Sequence, residues 1–132
     1  MSRDYEASIP TPNNELTVEP PLWKNALLET VGTAFFVYIS LAGVHQAVLS
    51  SPVDQIHIAI CFALGLTSGI VVALKSGAHL NPAVSFTMWL AKQISLLKLF
   101  AYIMAQLAGG FLGSLLVLAL YYSRINDLPE SE

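Results

Sequence analysis

Charge is what this sequence has least of. Asp, Glu, Lys and Arg make up 11% of its 132 residues, where a soluble domain carries about 25%. The acids that exist crowd the two ends. Of nine, only Glu29 and Asp54 fall between residues 20 and 126, so the net charge of -3 describes tails and not a binding surface. There is no basic block, which excludes the electrostatic footprint of a nucleic-acid binder. Cysteine occurs once, so no disulfide can form within the chain. Cys61 lies in an apolar run and is expected to be a small buried hydrophobe. Enzyme signatures are missing too. Gly65-Leu66-Thr67-Ser68-Gly69 is not Gly-x-Ser-x-Gly and sits in an apolar run, not on a strand-to-helix elbow. No phosphate-cradling glycine loop and no Cys-x-x-Cys occurs, and no pair among His45, His57 and His79 has ligand spacing on one helix. Neither an enzyme nor a metal or other cofactor is expected.

What is abundant is apolar surface: 55% hydrophobic residues and a mean hydropathy of +0.61. Three stretches are long enough to cross a bilayer core of ~30 Å at ~1.5 Å per residue. They run from about Ala26 to Leu49, Ile56 to Leu74 and Leu96 to Tyr122. Between the second and third lies a shorter apolar segment, from Pro82 to about Ala91, whose ten residues make only ~15 Å of helix. It reaches the midplane and cannot cross, and such re-entrant backbone is tolerated only where protein or a water-filled cavity shields it from lipid. The expected fold is an all-α membrane protein with three transmembrane helices and one re-entrant half-helix, at residues 22–122. Residues 1–21 are polar, acidic and proline-bearing and lack the pattern of a signal peptide, so a disordered N-terminal tail is expected. Residues 123–132 read as a short C-terminal tail.

Basic residues set the expected orientation. Arg3 and Lys24 precede the first span, Lys75, Lys92 and Lys98 lie between the second and third, and Arg124 alone follows the third. The side holding five of the six is expected to be cytoplasmic, with the N-terminus on it and the C-terminal tail outside. Trp23, Tyr121 and Tyr122 stand at span ends, as interfacial aromatics do. Gly65 and Gly69, and Gly109 and Gly113, recur at four-residue spacing, which lets membrane helices approach closely.

The most telling stretch is Ser76-Gly77-Ala78-His79-Leu80-Asn81-Pro82-Ala83-Val84. Proline lacks an N–H and asparagine favours caps over helix interiors, so the pair is out of place inside a span. It fits if a helix starts there, with Asn81 as the cap and Pro82 in the first turn. Such a helix aims unpaired N–H groups and a positive dipole end at whatever lies before it. Glu29 is the one acid inside a span. It either snorkels to the interface or accepts hydrogen bonds from the irregular loop before Asn81. Gln106 bridges in a similar way or makes a plain interhelical bond. His79 either holds the loop or touches a solute.

The nine-residue stretch resembles the first signature loop of the aquaporin and aquaglyceroporin family. The resemblance extends over about residues 22–125. Glu29-x-x-Gly32-Thr33-x-x-Phe36 is similar to the family's first-helix pattern, and Gln106-x-x-Gly109-x-x-x-Gly113 to its third. The Val-Ser-Phe continuation and the Leu-Tyr-Tyr end of the third span lean toward the glycerol-conducting branch. The resemblance implies that Asn81, followed by Pro82 and Ala83, donates to a passing water or polyol hydroxyl. It implies that the backbone carbonyls of Gly77, Ala78 and His79 line the cytoplasmic half of the path as acceptors. By the same resemblance Phe62 corresponds, with a one-residue gap in the following loop, to the second-span aromatic of the outer constriction; Cys61 is the alternative.

The family pattern has two inverted halves, and these 132 residues carry one. A second Asn-Pro-Ala half-helix, its filter arginine and three further spans do not occur in them. The expectation is therefore a channel half for passive transport of water and small polyols such as glycerol, set in the lipid bilayer and needing a complementary half. Assembly as a homo- or hetero-oligomer with aquaporin-like subunits is implied. The alternative is a non-conducting, truncated interaction subunit that associates with full-length channels.

Overall fold

The computed structural model describes residues 20–49 and 55–126. Of the tails expected at 1–21 and 123–132, residues 1–19 and 127–132 lie outside the described residues, as does the connection at residues 50–54. Among the described residues four α-helices follow one another: α1 Leu22–Leu49, α2 Gln55–Ala73, α3 Pro82–Leu90 and α4 Leu96–Asn126. Three of these, α1, α2 with the turn that follows it, and α4, are long and apolar enough to cross a membrane. The chain is thus an all-α, multi-pass membrane protein. The helices begin and end near the expected points, with two differences: α1 starts at Leu22, one turn before the expected Ala26, and α4 ends later than expected. α4 does not stop at Tyr122 but runs on through Ser123, Arg124, Ile125 and Asn126. None of these is Gly or Pro, and Arg124 in the last turn suits the negative end of the helix dipole.

The start of α1 is set by the Pro20-Pro21 pair. The carbonyl of Pro21 accepts from the backbone N–H groups of Lys24 and Asn25, and Asn25 Nδ2 donates to Pro20 O at 3.2 Å. α1 then occupies the middle of the bundle, with α2 and α4 both packed against it and α3 lying against α4.

Packing is inside out relative to a soluble protein. The buried face of α1 is small or polar: Asn25, Glu29, Gly32, Thr33, Ser40, Gly43 and Ala47. Large apolar side chains such as Trp23, Phe35, Ile56, Leu64, Phe100 and Phe111 point outward. Lipid tails are as apolar as leucine, so helices in lipid gain by close contact between small residues and not by hiding leucines. A methyl group on Gly65 would lie 2.8 Å from Phe36 O, one on Gly69 2.7 Å from Gly32 O, and one on Gly113 2.7 Å from Ala34 O. On Gly109 it would collide with Thr30 O outright. Gly110, one residue along, faces open space. Cys61 packs against Gly43 but is only half-buried, with Sγ 3.6 Å from His57 Nε2. That corrects the expectation of a buried hydrophobe. Its position one turn from His57 leaves it at the edge of the α1–α2 seam.

Candidate functional site

The site is built from the break between α2 and α3. α2 tightens into a 3-10 turn at Leu74–Ser76 and closes on Gly77, whose φ of 101° is left-handed. Glycine takes that conformation freely. The next residues do not have that freedom. Ala78 (φ 49°) and Leu80 (φ 53°) are left-handed with side chains attached, at a cost of about 1–2 kcal/mol each. Asn81 then returns to extended backbone, and α3 begins at Pro82.

Glu29 holds this conformation. Although it is about two turns into α1, it is fully buried. Its Oε1 accepts from Ser76 Oγ at 2.6 Å and from the backbone N–H of His79 at 3.0 Å. Its Oε2 accepts from the backbone N–H of Leu80 at 2.7 Å and from Gln106 Nε2 at 3.0 Å. A carboxylate offers about four lone-pair positions, so these four donors fill it. Glu29 therefore does not snorkel: burial inside lipid is tolerable because every acceptor position is met within the protein. Leu80 locks the same loop by packing. Its side chain is buried over Gly32 and Gly69, which leave the space it fills.

Gln106 reaches in from α4 and bridges two partners, Glu29 and Ser85 Oγ, the latter at 2.9 Å. The His79 ring is nearly buried, stands edge-on to Tyr102 with centroids 5.0 Å apart, and places Nδ1 3.0 Å from Ser85 Oγ. The Tyr102 hydroxyl donates to the carbonyl of Ser76. Ser85 and Tyr102 are not among the residues that the sequence motifs tie to this site. For Tyr102 a signal existed: it lies four residues before Gln106, on the same face of α4 as Gly109 and Gly113. Ser85 gave none. A serine four residues into a helix reads as one that bonds back to its own turn.

The other side of the loop is open. Asn81 Oδ1 accepts from the backbone N–H of Ala83 at 2.8 Å, which makes the cap. Its Nδ2 makes no hydrogen bond among the described residues, and Asn81, Pro82 and Ala83 are all exposed. Gly77 is exposed and Ala78 half-buried. Phe62 lies on α2, away from this loop cluster, with its ring edge-on to Phe36 at 6.3 Å and its outer face exposed. Among the described residues no three His, Cys, Asp or Glu side chains come close enough to hold a metal ion. The arrangement is a clamp on one side and, on the other, an amide donor at the positive end of a short helix. Chemically that front face offers an N–H donor to a hydrogen-bond acceptor.

The family model described as "Major intrinsic protein" matches residues 16–130. Among curated proteins, the lens fiber major intrinsic protein of Mus musculus is 37% identical over 93 residues, covering 70% of this chain and 35% of that protein. Aquaporin-9 of Rattus norvegicus is 33% identical over 112 residues, covering 81% of this chain and 37% of its own length. The chain thus spans little more than a third of the length of the curated relatives it matches.

Proposed function

The chain belongs to the major intrinsic protein family, and from that premise we propose that it forms the Asn81-bearing half of a pore for water and small polyols such as glycerol. The observation that carries this reading is the division of labour at Asn81. Its oxygen is spent on the cap while its Nδ2 stays free to donate at an exposed face. An uncharged solute loses part of its hydration shell on entering a narrow path, and the free amide replaces one of those hydrogen bonds. The carbonyls of Gly77, Ala78 and His79 supply the acceptors on the cytoplasmic approach. The positive end of α3 opposes cations there. No step of the reading calls for bond chemistry, so the function is transport and not catalysis.

The exposed side of α3 requires cover. Backbone at membrane depth must face protein or a water-filled cavity. A complementary half, on the same polypeptide or on a partner subunit, provides it. The N-terminus and the α2–α4 connection are cytoplasmic and the end of α4 faces outward, because Arg3, Lys24, Lys75, Lys92 and Lys98 share one side. With that bias, two copies inserted in opposite senses are disfavoured as the source of the second half.

The test is osmotic water flux into proteoliposomes holding the chain alone, and the chain with a complementary three-span half from a family member. Flux above empty vesicles in the second preparation, lost in Asn81→Asp, is the expected result. Absence of flux in both, with co-purification of a full-length family member, replaces this reading with a non-conducting interaction subunit. A glycerol gradient in the same vesicles reads polyol passage directly.

A further inference from the structure

The hydrogen bonds behind the loop have a fixed direction, and it can be followed atom by atom. A carboxylate only accepts, so Gln106 must turn its NH2 toward Glu29 Oε2. The opposite amide orientation would set Gln106 Oε1 against the carboxylate. Leaving Oε1 buried and without a partner is the lesser cost. The same Nε2 lies 2.9 Å from Ser85 Oγ, and its second proton goes there. Ser85 Oγ, now an acceptor from Gln106, has one proton of its own to give. Its other neighbour is His79 Nδ1 at 3.0 Å. Nδ1 therefore receives a proton and is itself bare, which places the proton of a neutral imidazole on Nε2.

That nitrogen points the other way. A methyl group built on Gly77 would lie 3.5 Å from Nε2, so this edge of the ring faces the exposed glycine at the mouth of the loop. Nε2 has no hydrogen-bond partner among the described residues and is not among the buried unpartnered atoms. We infer that Ser85, oriented by Gln106, is a positioning residue that locks His79 in its Nε2–H form, so that His79 presents one fixed hydrogen-bond donor beside Gly77 to the oxygen of an uncharged solute. A path lined by backbone carbonyls on this stretch then has a donor among its acceptors, and a solute oxygen is held in one sense. The solute contact rests on the channel reading. The hydrogen-bond chain that joins Glu29, Gln106, Ser85 and His79 does not.

The experiment is 15N solid-state NMR of the full chain in phospholipid bilayers at neutral pH, with histidine labelled. His79→Asn identifies the His79 signals among the three histidines. The expected parent spectrum has a bare, hydrogen-bonded Nδ1 and a protonated Nε2 at His79. In Ser85→Ala a protonated Nδ1 signal emerges beside the bare one, and in Ser85→Thr, which keeps the hydroxyl, it does not. A protonated Nδ1 in the parent chain overturns the inference, whatever the variants do. So does a Ser85→Ala spectrum identical to the parent's. Vesicles that pass no water while the parent spectrum is as expected would remove the channel reading and the solute contact, and leave the hydrogen-bond chain standing.

Discussion

Behind residue 81 the two oxygens of Glu29 match the backbone N–H groups of His79 and Leu80, the Ser76 hydroxyl and, from α4, the Gln106 amide. In front of it, Asn81 uses one atom for the cap and leaves its Nδ2 uncommitted. The two sides lie within a few residues of each other and carry the same kinds of polar group. Their difference teaches where the cost of the fold is met. Left-handed Ala78 and Leu80 are expensive, and the bonded back side holds them. The front can then stay open without the loop collapsing onto it.

Removing the back side should have the largest effect. Glu29→Ala strands the N–H groups of His79 and Leu80, each worth about 1–3 kcal/mol when buried without a partner, and takes one of two partners from the Ser76 hydroxyl, which keeps Ala73 O, and from the Gln106 amide, which keeps Ser85 Oγ. The expected outcome is loss of folded protein: a collapse of the monodisperse peak in detergent and rapid cleavage at residues 77–80 by added protease. Glu29→Gln keeps one acceptor oxygen and should fall between. A Glu29→Ala chain with parent yield and an uncut loop would mean that the front side, not the carboxylate, shapes the turn.

How much of this could be read from the chain alone depends on the range of the cause. Asn81 and Pro82 announce a helix start because capping is local chemistry, and α3 does begin there. The spans follow from run length. Glu29 could be tied to the loop because a carboxylate inside a span demands a partner. Ser85 could not be found, since its role depends on Gln106 arriving from another helix 21 residues away. The left-handed Ala78 and Leu80 are equally hidden: neither residue type favours that conformation, and the bonds that hold it, from Ala78 N–H to Ala73 O and Ser76 Oγ and from Leu80 N–H to Glu29, come from the folded loop. Cys61 reads as buried from its apolar neighbours, yet its exposure is decided by which edge of α2 meets Gly43.

The next effect in size belongs to the seams that carry the clamp. Gly109 and Gly110 are neighbours with opposite surroundings. Gly109→Ala drives a methyl into the Thr30 carbonyl, so α1 and α4 must separate. Overpacking of this kind costs about 1–3 kcal/mol. Gly110→Ala meets nothing within 4 Å and should be neutral or slightly stabilising, since alanine is the better helix former. Thermal unfolding of the two variants in the same detergent checks the contrast. Because Gln106 lies one turn from Gly109, the first variant should also loosen protease protection of the loop.

Asn81 separates the two sides most cleanly. Aspartate caps a helix about as well as asparagine, whereas Asn→Ala at a cap costs about 1 kcal/mol. Asn81→Asp should therefore keep the parent unfolding midpoint, and Asn81→Ala should lower it modestly. Water flux should be lost in both, because neither retains the Nδ2 donor. Flux that tracked the midpoint instead of the donor would make Asn81 a structural cap with no part in the path.

The smallest effect is expected at Thr87, on the exposed part of the same helix as Ser85. Its Oγ1 donates to Ala83 O at 2.9 Å, within its own helix. Ser85 spends its hydroxyl across helices; Thr87 spends it on a carbonyl that the helix already uses or leaves at its first turn. Thr87→Val preserves shape and removes only that local bond, so the change in unfolding free energy should stay within about 0.5 kcal/mol. A measured loss well above that would show that the Thr87 hydroxyl has a second partner in the assembled protein. The front of α3 would then be a bonded interface like the back, and the open side would belong to the isolated chain alone.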